Sequence, residues 1–367
     1  MPDEEFFCKN VDDTSCEKDH IHREGKVGSK TAMLFYTLPS GAVKCELCNR
    51  YCTVQLGQRG FCGVRENQGG ILQSLVYGKA CVWAIDPIEK KPFYHFMPGT
   101  QTFSFATVGC NFACQHCQNF EISQIRGTKQ IYGEDMPPAK IVKMAKENEV
   151  QGIAYTYTEP TIFFEYAHDT AELAKREGMY NVFVTNGYMT EKCIEKMGNI
   201  DASRIDLKSF RDEHYMTVCG GAHLEPVLNS IKLLHAKQHI EIITLLIPTL
   251  NDSADELKAL ATWVKDLSPD IPLHFTAYYP TYKMNLPPTP VDTLEKAREI
   301  AMEVGLKYVY TGNVPGHEGE NTYCPNCHTM LIRRFGFTVV DNHLLRDGSK
   351  AKCPECGNKI NVVTKLG

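Results

Sequence analysis

Between residues 102 and 312, short apolar runs rich in β-branched and aromatic side chains alternate with longer stretches in which apolar positions recur every three or four residues. The short runs predict strands over 102–107, 153–157, 182–185, 204–207, 240–247, 273–277 and 307–311. The stretches between them carry helix punctuation. Pro138 opens one helix that bears Ile141, Met144 and Ala145, and Asp292 with Glu295 makes a capping-box-like start to another that ends at Gly305. Strand and helix in alternation over this span predict an α/β fold, a parallel barrel or open half-barrel, with its chemistry where the strands end.

The flanks lack this rhythm and are rich in cysteine, which divides the chain into residues 1–101, 102–317 and 318–367. The first part holds Cys45, Cys48, Cys52 and Cys62 with Gly57, Gly60 and Gly63 among them. Four thiolates at these spacings suit either a tetrahedral zinc ion or an iron-sulfur cluster. The last part holds Cys324-Pro325-Asn326-Cys327 and Cys353-Pro354-Glu355-Cys356, two knuckles flanking β-prone apolar residues and a polar turn at Asp347-Gly348. That pattern predicts a zinc ribbon, in which the ion supplies folding energy that a segment this short cannot obtain from its core.

The chain has 367 residues, 43% hydrophobic content and a net charge of -5, giving no basic footprint of a general nucleic-acid binder. The first thirty residues alternate Asp, Glu, Lys and His, and no apolar run is long enough for a signal peptide or a membrane span. A cytoplasmic protein is expected, and there 16 Cys are better read as metal ligands than as disulfides. Cys8, Cys16, Cys81, Cys193 and Cys219 fall outside the groups and read as incidental thiols.

The remaining group, Cys110, Cys114 and Cys117, is one thiolate short of closing a four-iron cluster. A cluster with one unligated iron can bind a small molecule there and act on it. Other polar candidates share this placement at strand ends: Thr158-Glu159-Pro160 after the second strand, Thr185-Asn186-Gly187 after the third, Asp206 and Lys208 at the fourth, Pro248 and Thr249 after the fifth, and His274 in the sixth. Tyr278, Tyr279 and Tyr282 are candidates for a substrate cavity. Glu89 and His95 are polar groups without an assignable role. Arg333-Arg334 reads as a solvated face.

The CxxxCxxC trio, the strings Gly60-Phe61-Cys62-Gly63-Val64-Arg65, Asp86-Pro87-Ile88-Glu89-Lys90-Lys91-Pro92 and Tyr157-Thr158-Glu159-Pro160, and Tyr310-Thr311-Gly312-Asn313-Val314-Pro315-Gly316 running on toward Cys324 together carry a family likeness. The chain resembles radical S-adenosylmethionine (SAM) enzymes of the AmmeMemoRadiSam system, relatives of the pyruvate formate-lyase activating enzymes, over about residues 33–361. The resemblance implies a partial (β/α)6 barrel whose first loop holds a [4Fe-4S] cluster with SAM on its open iron. It further implies that the loop at Thr158, Glu159 and Pro160 binds the SAM amino group through its backbone, although the usual glycine pair is here Tyr157-Thr158. Thr185 and Asn186 join the SAM-binding set, Lys208 meets the SAM carboxylate beside Asp206, His274 lies near the ribose or adenine, and His116 replaces an aromatic residue by the adenine.

The expected reaction is reductive cleavage of SAM to a 5'-deoxyadenosyl radical that takes hydrogen from a substrate, fed by a low-potential flavodoxin- or ferredoxin-like donor. The substrate is a small molecule or metabolite handled with partner proteins of that system, or a protein glycine as in the activating enzymes. A reading of another class makes the chain a non-catalytic module binding nucleic acid or protein through its Cys-rich ends.

Overall fold

The computed structural model describes residues 28–128 and 130–366; Cys8, Cys16 and most of the charged N-terminal stretch lie outside the described residues. One sheet of eight strands runs in chain order: β1 (Val82–Pro87), β2 (Gln101–Ala106), β3 (Gly152–Tyr155), β4 (Tyr180–Thr185), β5 (Ala202–Asp206), β6 (His239–Leu246), β7 (Leu273–Ala277) and β8 (Val309–Gly312). β1 pairs antiparallel with β2, and every later pair is parallel. Strands covered on both faces read as continuous apolar runs, and β4 is buried at all six positions. β1 was not foreseen, because its outward residues Trp83 and Ile85 alternate with inward ones as on an edge strand.

Helices α1 (Pro138–Glu147), α2 (Phe164–Arg176), α3 (Leu224–His235), α4 (Ala254–Leu267) and α5 (Val291–Glu303) lie on the connections. Pro138 starts α1, whose buried stripe is Ile141, Val142 and Ala145. The capping box expected at Asp292 does not form. Pro290, at φ -63°, is the cap residue of α5 and gives no side-chain cap, while Glu295 reaches across to His317 Nε2 at 3.1 Å.

Phe103, Phe105, Ile153, Tyr155 and Phe183 pack in the main core with the helices. Alternation turns the neighbouring residues to the opposite face, and that face is filled by the chain's own residues 86–97. Ile88, Phe93 and Phe96 pack with Ala154, Tyr180, Val182, Val184 and Ala202, so the segment covers that face of β3, β4 and β5. Its polar groups are tied down individually. Asp86 accepts from Lys90 Nζ (2.6 Å), Lys91 Nζ (2.5 Å) and the Tyr157 hydroxyl. Burial would raise that carboxyl, but these hydrogen bonds hold it well below the carboxylate range. Arg204 Nε donates to the Lys91 carbonyl at 2.9 Å.

Glu241, fully buried on β6, accepts the backbone N–H of Tyr94 (3.0 Å) and of His95 (2.8 Å), and is paired with His274 Nε2 (2.8 Å) and His239 Nε2 (3.2 Å). Burial depresses His95 to about 3, so its ring is neutral. Nδ1–H therefore donates to the Asn361 carbonyl (2.8 Å) and Nε2 accepts from the Tyr310 hydroxyl (2.5 Å). Glu89 accepts the Gly99 N–H at 2.9 Å. Glu89 and His95, without a role in the sequence, are thus anchors of this inserted segment.

The N-terminal part is joined to α2 by a buried pair, Arg65 with Glu165, whose other oxygen accepts the Met33 N–H at 2.8 Å. The C-terminal part is built of two small sheets, Thr322–Tyr323 with Met330–Phe335 and Thr338–Asn342, and Leu345–Asp347 with Lys350–Lys352 and Lys359–Ile360. A register shift between Arg333 and Arg334 sends the two arginines to different environments. Arg333 stays at the surface with Asp341, whereas Arg334 is 3% exposed and donates to the carbonyls of Tyr94 (2.9 Å) and Glu320 (3.2 Å) and to Thr322 Oγ1 (2.8 Å). Arg334 is therefore an internal tie and not part of a solvated face. Among the described residues no helix is long and apolar enough to cross a membrane.

Candidate active site

The loop after β2 carries Cys110, Cys114 and Cys117. Gly109 leads into it with φ +97°, and a Cβ there would stand 2.6 Å from Val64 Cγ1 and 2.7 Å from the Cys62 carbonyl oxygen. Only glycine lets the loop pass so close to the N-terminal part. Cys114 is buried and the other two thiols are partly buried. No three of these sulfurs lie within 4.8 Å of one another, as they would around a single ion. A four-iron cube holds its thiolates farther apart than one ion does, so this spread fits the three thiols to such a cluster.

Three neighbouring strand ends, those of β3, β4 and β5, converge on the loop. Glu159, 1% exposed, accepts from Thr161 N (3.1 Å), Thr161 Oγ1 (2.5 Å), Thr185 Oγ1 (2.7 Å) and Asn186 N (2.7 Å), which locks the turns after β3 and β4 together. Burial raises its pKa and these hydrogen bonds oppose that rise. Asn186 Nδ2 in turn donates to Asn111 Oδ1 at 2.7 Å, inside the Cys loop. Pro160 is buried at the start of the short helix Pro160–Phe163. Tyr157 stands at φ +62°, a conformation natural to glycine, and its carbonyl accepts Asn119 Nδ2 at 2.7 Å. Thr158 Oγ1 donates to the Thr107 carbonyl at 2.9 Å. The missing glycine pair is thus replaced by a strained tyrosine held in place at both ends.

Asp206 pairs with Arg204 and, at 3.0 Å, with Lys208. Burial pushes the Asp206 carboxyl up, but the two cations outweigh it and leave it lowered. Lys208 is shifted upward: burial opposes its charge, yet Asp206 and the thiols of Cys114 and Cys219 favour it more strongly. A fixed ammonium therefore stands beside the trio.

His116, 4% exposed, has no hydrogen-bond partner for either ring nitrogen, and His214 beside it leaves Nε2 unpaired. Their ring centroids are 6.4 Å apart. Burial first, then Lys208 and His214, depress His116 to about 3. A neutral imidazole with two unmet polar atoms next to three thiols and a lysine calls for a polar molecule in that space.

His274, the second residue of β7, stacks on Tyr310 at 5.0 Å and is paired with Glu241 through Nε2. Of the three tyrosines, Tyr278 is buried with its hydroxyl on the Met284 carbonyl (2.8 Å) and Tyr279 is half exposed. Tyr282 stacks on Phe120 at 4.7 Å, just beyond the Cys loop. Cys219 is the residue that sequence reasoning missed. Its thiol is hydrogen-bonded to Cys114, and its carbonyl accepts the Ala113 N–H at 3.2 Å. Nothing local in the sequence marks it.

The other two Cys groups differ in geometry. Cys324, Cys327, Cys353 and Cys356 place all four sulfurs within 4.8 Å of one another, with Cys324 to Cys356 and Cys327 to Cys353 each at 3.6 Å. Cys45, Cys48, Cys52 and Cys62 line a single cavity, and no three of their sulfurs lie within 4.8 Å of one another.

Residues 105–264 match the sequence model of the Radical SAM superfamily. The chain is 47% identical over 339 residues to an uncharacterized protein of Methanocaldococcus jannaschii, covering 91% of this chain and 99% of that one. It is 29% identical over 202 residues to a protein of the same archaeon named for glycyl-radical enzyme activation, covering 54% of this chain and 75% of the relative. It is 24% identical over 173 residues to the pyruvate formate-lyase-activating enzyme of Clostridium pasteurianum, covering 46% and 71% respectively.

Proposed function

Because the chain belongs to the radical SAM superfamily, whose members are enzymes, we propose that it cleaves SAM reductively at Cys110, Cys114 and Cys117 and directs the resulting radical to a substrate bound at the same strand ends. The observation that carries the reading is His116, buried with both ring nitrogens unpaired beside the trio. When bound, a [4Fe-4S] cluster and SAM supply a one-electron cleavage that yields methionine and a 5'-deoxyadenosyl radical able to abstract hydrogen. The protein's own task is placement. The three thiolates would ligate the cluster, Lys208 would present its ammonium to the SAM carboxylate, and Asp206 holds Lys208. Glu159 stiffens the Thr158–Pro160 turn, whose backbone would bind the amino group, with Thr185 and Asn186 as its supports. His116 would offer a flat, neutral, hydrogen-bonding face to the adenine.

A partial barrel is the architecture we assign to this arrangement, supported by seven parallel strands in chain order with covering helices. The three-part division is supported by the separate small core that Cys324, Leu331, Ile332, Cys353 and Ile360 form with Tyr94, Tyr308 and Tyr310. An external flavodoxin- or ferredoxin-like donor supplies the electron. The fourteen described cysteines are all free, in keeping with a reducing compartment such as the cytoplasm. Production of 5'-deoxyadenosine from SAM by anaerobically reconstituted, dithionite-reduced protein tests the reading; cluster-loaded protein that forms none overturns it. Lys208→Ala is expected to weaken SAM binding about 10-fold or more, since charge-assisted hydrogen bonds contribute roughly 1.5–3 kcal/mol. Equilibrium titration of SAM into reconstituted protein measures this.

For the substrate, a small molecule processed with partner proteins of the AmmeMemoRadiSam system is the leading reading, supported by the family-specific segment at residues 86–96. The names of two relatives favour a second, activation of a protein by forming a glycyl radical. A glycyl doublet in the electron paramagnetic resonance spectrum of a candidate partner distinguishes the second from the first.

The C-terminal thiols fit zinc. A tetrahedron with Zn–S of about 2.3 Å has S···S edges of about 3.8 Å, close to the 3.6 Å seen here. Cys353→Ser is expected to lower the melting temperature by about 10 °C or more, because structural zinc contributes folding energy directly. Circular-dichroism melting of the variant checks this, and an unchanged midpoint contradicts it.

A further inference from the structure

We infer that Cys45, Cys48, Cys52 and Cys62 hold a polynuclear iron-sulfur cluster and not a zinc ion. A zinc ion and a [4Fe-4S]2+ cube both leave four thiolates with the same net charge, so charge does not choose between them. Size does. Around zinc the sulfurs close to about 3.8 Å, and the C-terminal group of this same chain shows that packing. The N-terminal group does not: no three of its sulfurs come within 4.8 Å of each other. They line one shared cavity instead, together with Arg50, Arg65 and Asn111.

The cavity wall supplies the second argument. Arg50 Nη2, Arg65 Nη1 and Asn111 Nδ2 are buried without a hydrogen-bond partner, and all three residues line this space. All three atoms are donors and can serve only an acceptor. A single ion screened by four thiolates offers acceptors only at the corners, whereas a cube adds inorganic sulfides between them. Arg50 has no carboxylate in ion-pair range among the described residues, and the paired charge of Arg65 is answered by Glu165. The wall is therefore cationic on balance and suited to an anionic cluster.

Asn111 also belongs to the loop of the first cluster site, one residue after Cys110, and its carbonyl accepts Arg50 Nε at 2.9 Å. A side chain at Gly109 would collide with the Cys62 carbonyl. The two sites therefore adjoin through Asn111, which makes the N-terminal cluster a second redox centre beside the first.

The test uses the full chain carrying Cys110→Ala, Cys114→Ala and Cys117→Ala together, reconstituted anaerobically with iron and sulfide. Retention of about four iron and four sulfide per chain with about one zinc, and a reduced-cluster resonance indifferent to SAM, is expected. A folded triple variant with about two zinc and no iron overturns the inference, as does a single iron without sulfide. Cys48→Ser with Cys62→Ser supplies the converse arm. It is expected to bring the wild-type content from about eight iron to about four while keeping a SAM-sensitive resonance; wild-type protein that starts at about four iron, all SAM-sensitive, overturns the inference without any variant. Failure of the SAM-cleavage reading would show separately, as iron-loaded wild type that makes no 5'-deoxyadenosine.

Discussion

Cys114→Ala is expected to reduce 5'-deoxyadenosine formation by more than about 100-fold, because even the outer partners of a metal ligand are worth about 10- to 100-fold and this change removes a ligand itself. Cys114 is the most enclosed of the three thiols, and the charges of Lys208 and Asp206 both act on it. Its loss frees a corner of the cluster and leaves that pair facing an empty corner. The contact between Cys114 and Cys219 makes a control necessary, since a neighbouring thiol could take up the vacated corner. Cys117→Ala has the hydroxyl of Ser123 beside it at 3.1 Å in place of a thiol, and should fail as completely. Cys219→Ala alone is expected to keep its iron and its activity. Quantifying 5'-deoxyadenosine together with iron content decides the matter: a Cys114→Ala protein that turns over like wild type removes the proposed site.

The second large effect is on stability. Glu241→Ala is expected to cost about 3–5 kcal/mol, the usual penalty for breaking a buried charged group away from its partners. Two backbone N–H groups of residues 94 and 95 and the rings of His239 and His274 would lose their acceptor together. Urea unfolding of the variant measures the loss, and Glu241→Gln, which keeps an acceptor oxygen, should recover part of it. The same carboxylate predicts a direction with pH. Burial would raise its pKa, but the hydrogen bonds and charges of His239 and His274 hold it far below the unfolded value of about 4.3. The unfolded chain thus binds the proton first, so this stabilisation is complete above about pH 5 and is lost as the pH falls through and below 4.3. Asp86, held low in the same way, adds to the slope. A melting temperature flat from pH 7 down to 3 would contradict both.

The parallel strands were legible because they are apolar on both faces, and β7 was bounded to the residue. The cysteine groups were legible because ligands of one metal cluster along a chain. What escaped depends on residues that are distant in sequence. His274 is placed by strand order, but only the fold shows its pairing with Glu241 on the adjacent strand. Cys219 reads as a stray thiol until the loop after β5 brings it to Cys114. Arg334 looks solvated beside Arg333 until the register shift turns it inward to Tyr94. The segment at residues 86–97 was recognisable as distinctive, but its use as filling for one face of the sheet follows only from contacts with six different strands, β3 to β8.

That filling is closed from outside by Asn361 and Val363. Met97 N–H donates to the Val363 carbonyl at 2.8 Å, Val363 N–H donates to the His95 carbonyl at 2.8 Å, and the Asn361 carbonyl accepts the His95 Nδ1–H. A ribosome working at about 5–20 residues per second delivers Val363 roughly 15–50 s after His95. Through that interval the polar backbone of the inserted segment has no lasting partner on its open side. Residues translated long after the inserted segment are the ones that seal it, so premature termination before Asn361 is expected to leave a nascent sheet that is assembled but unsealed.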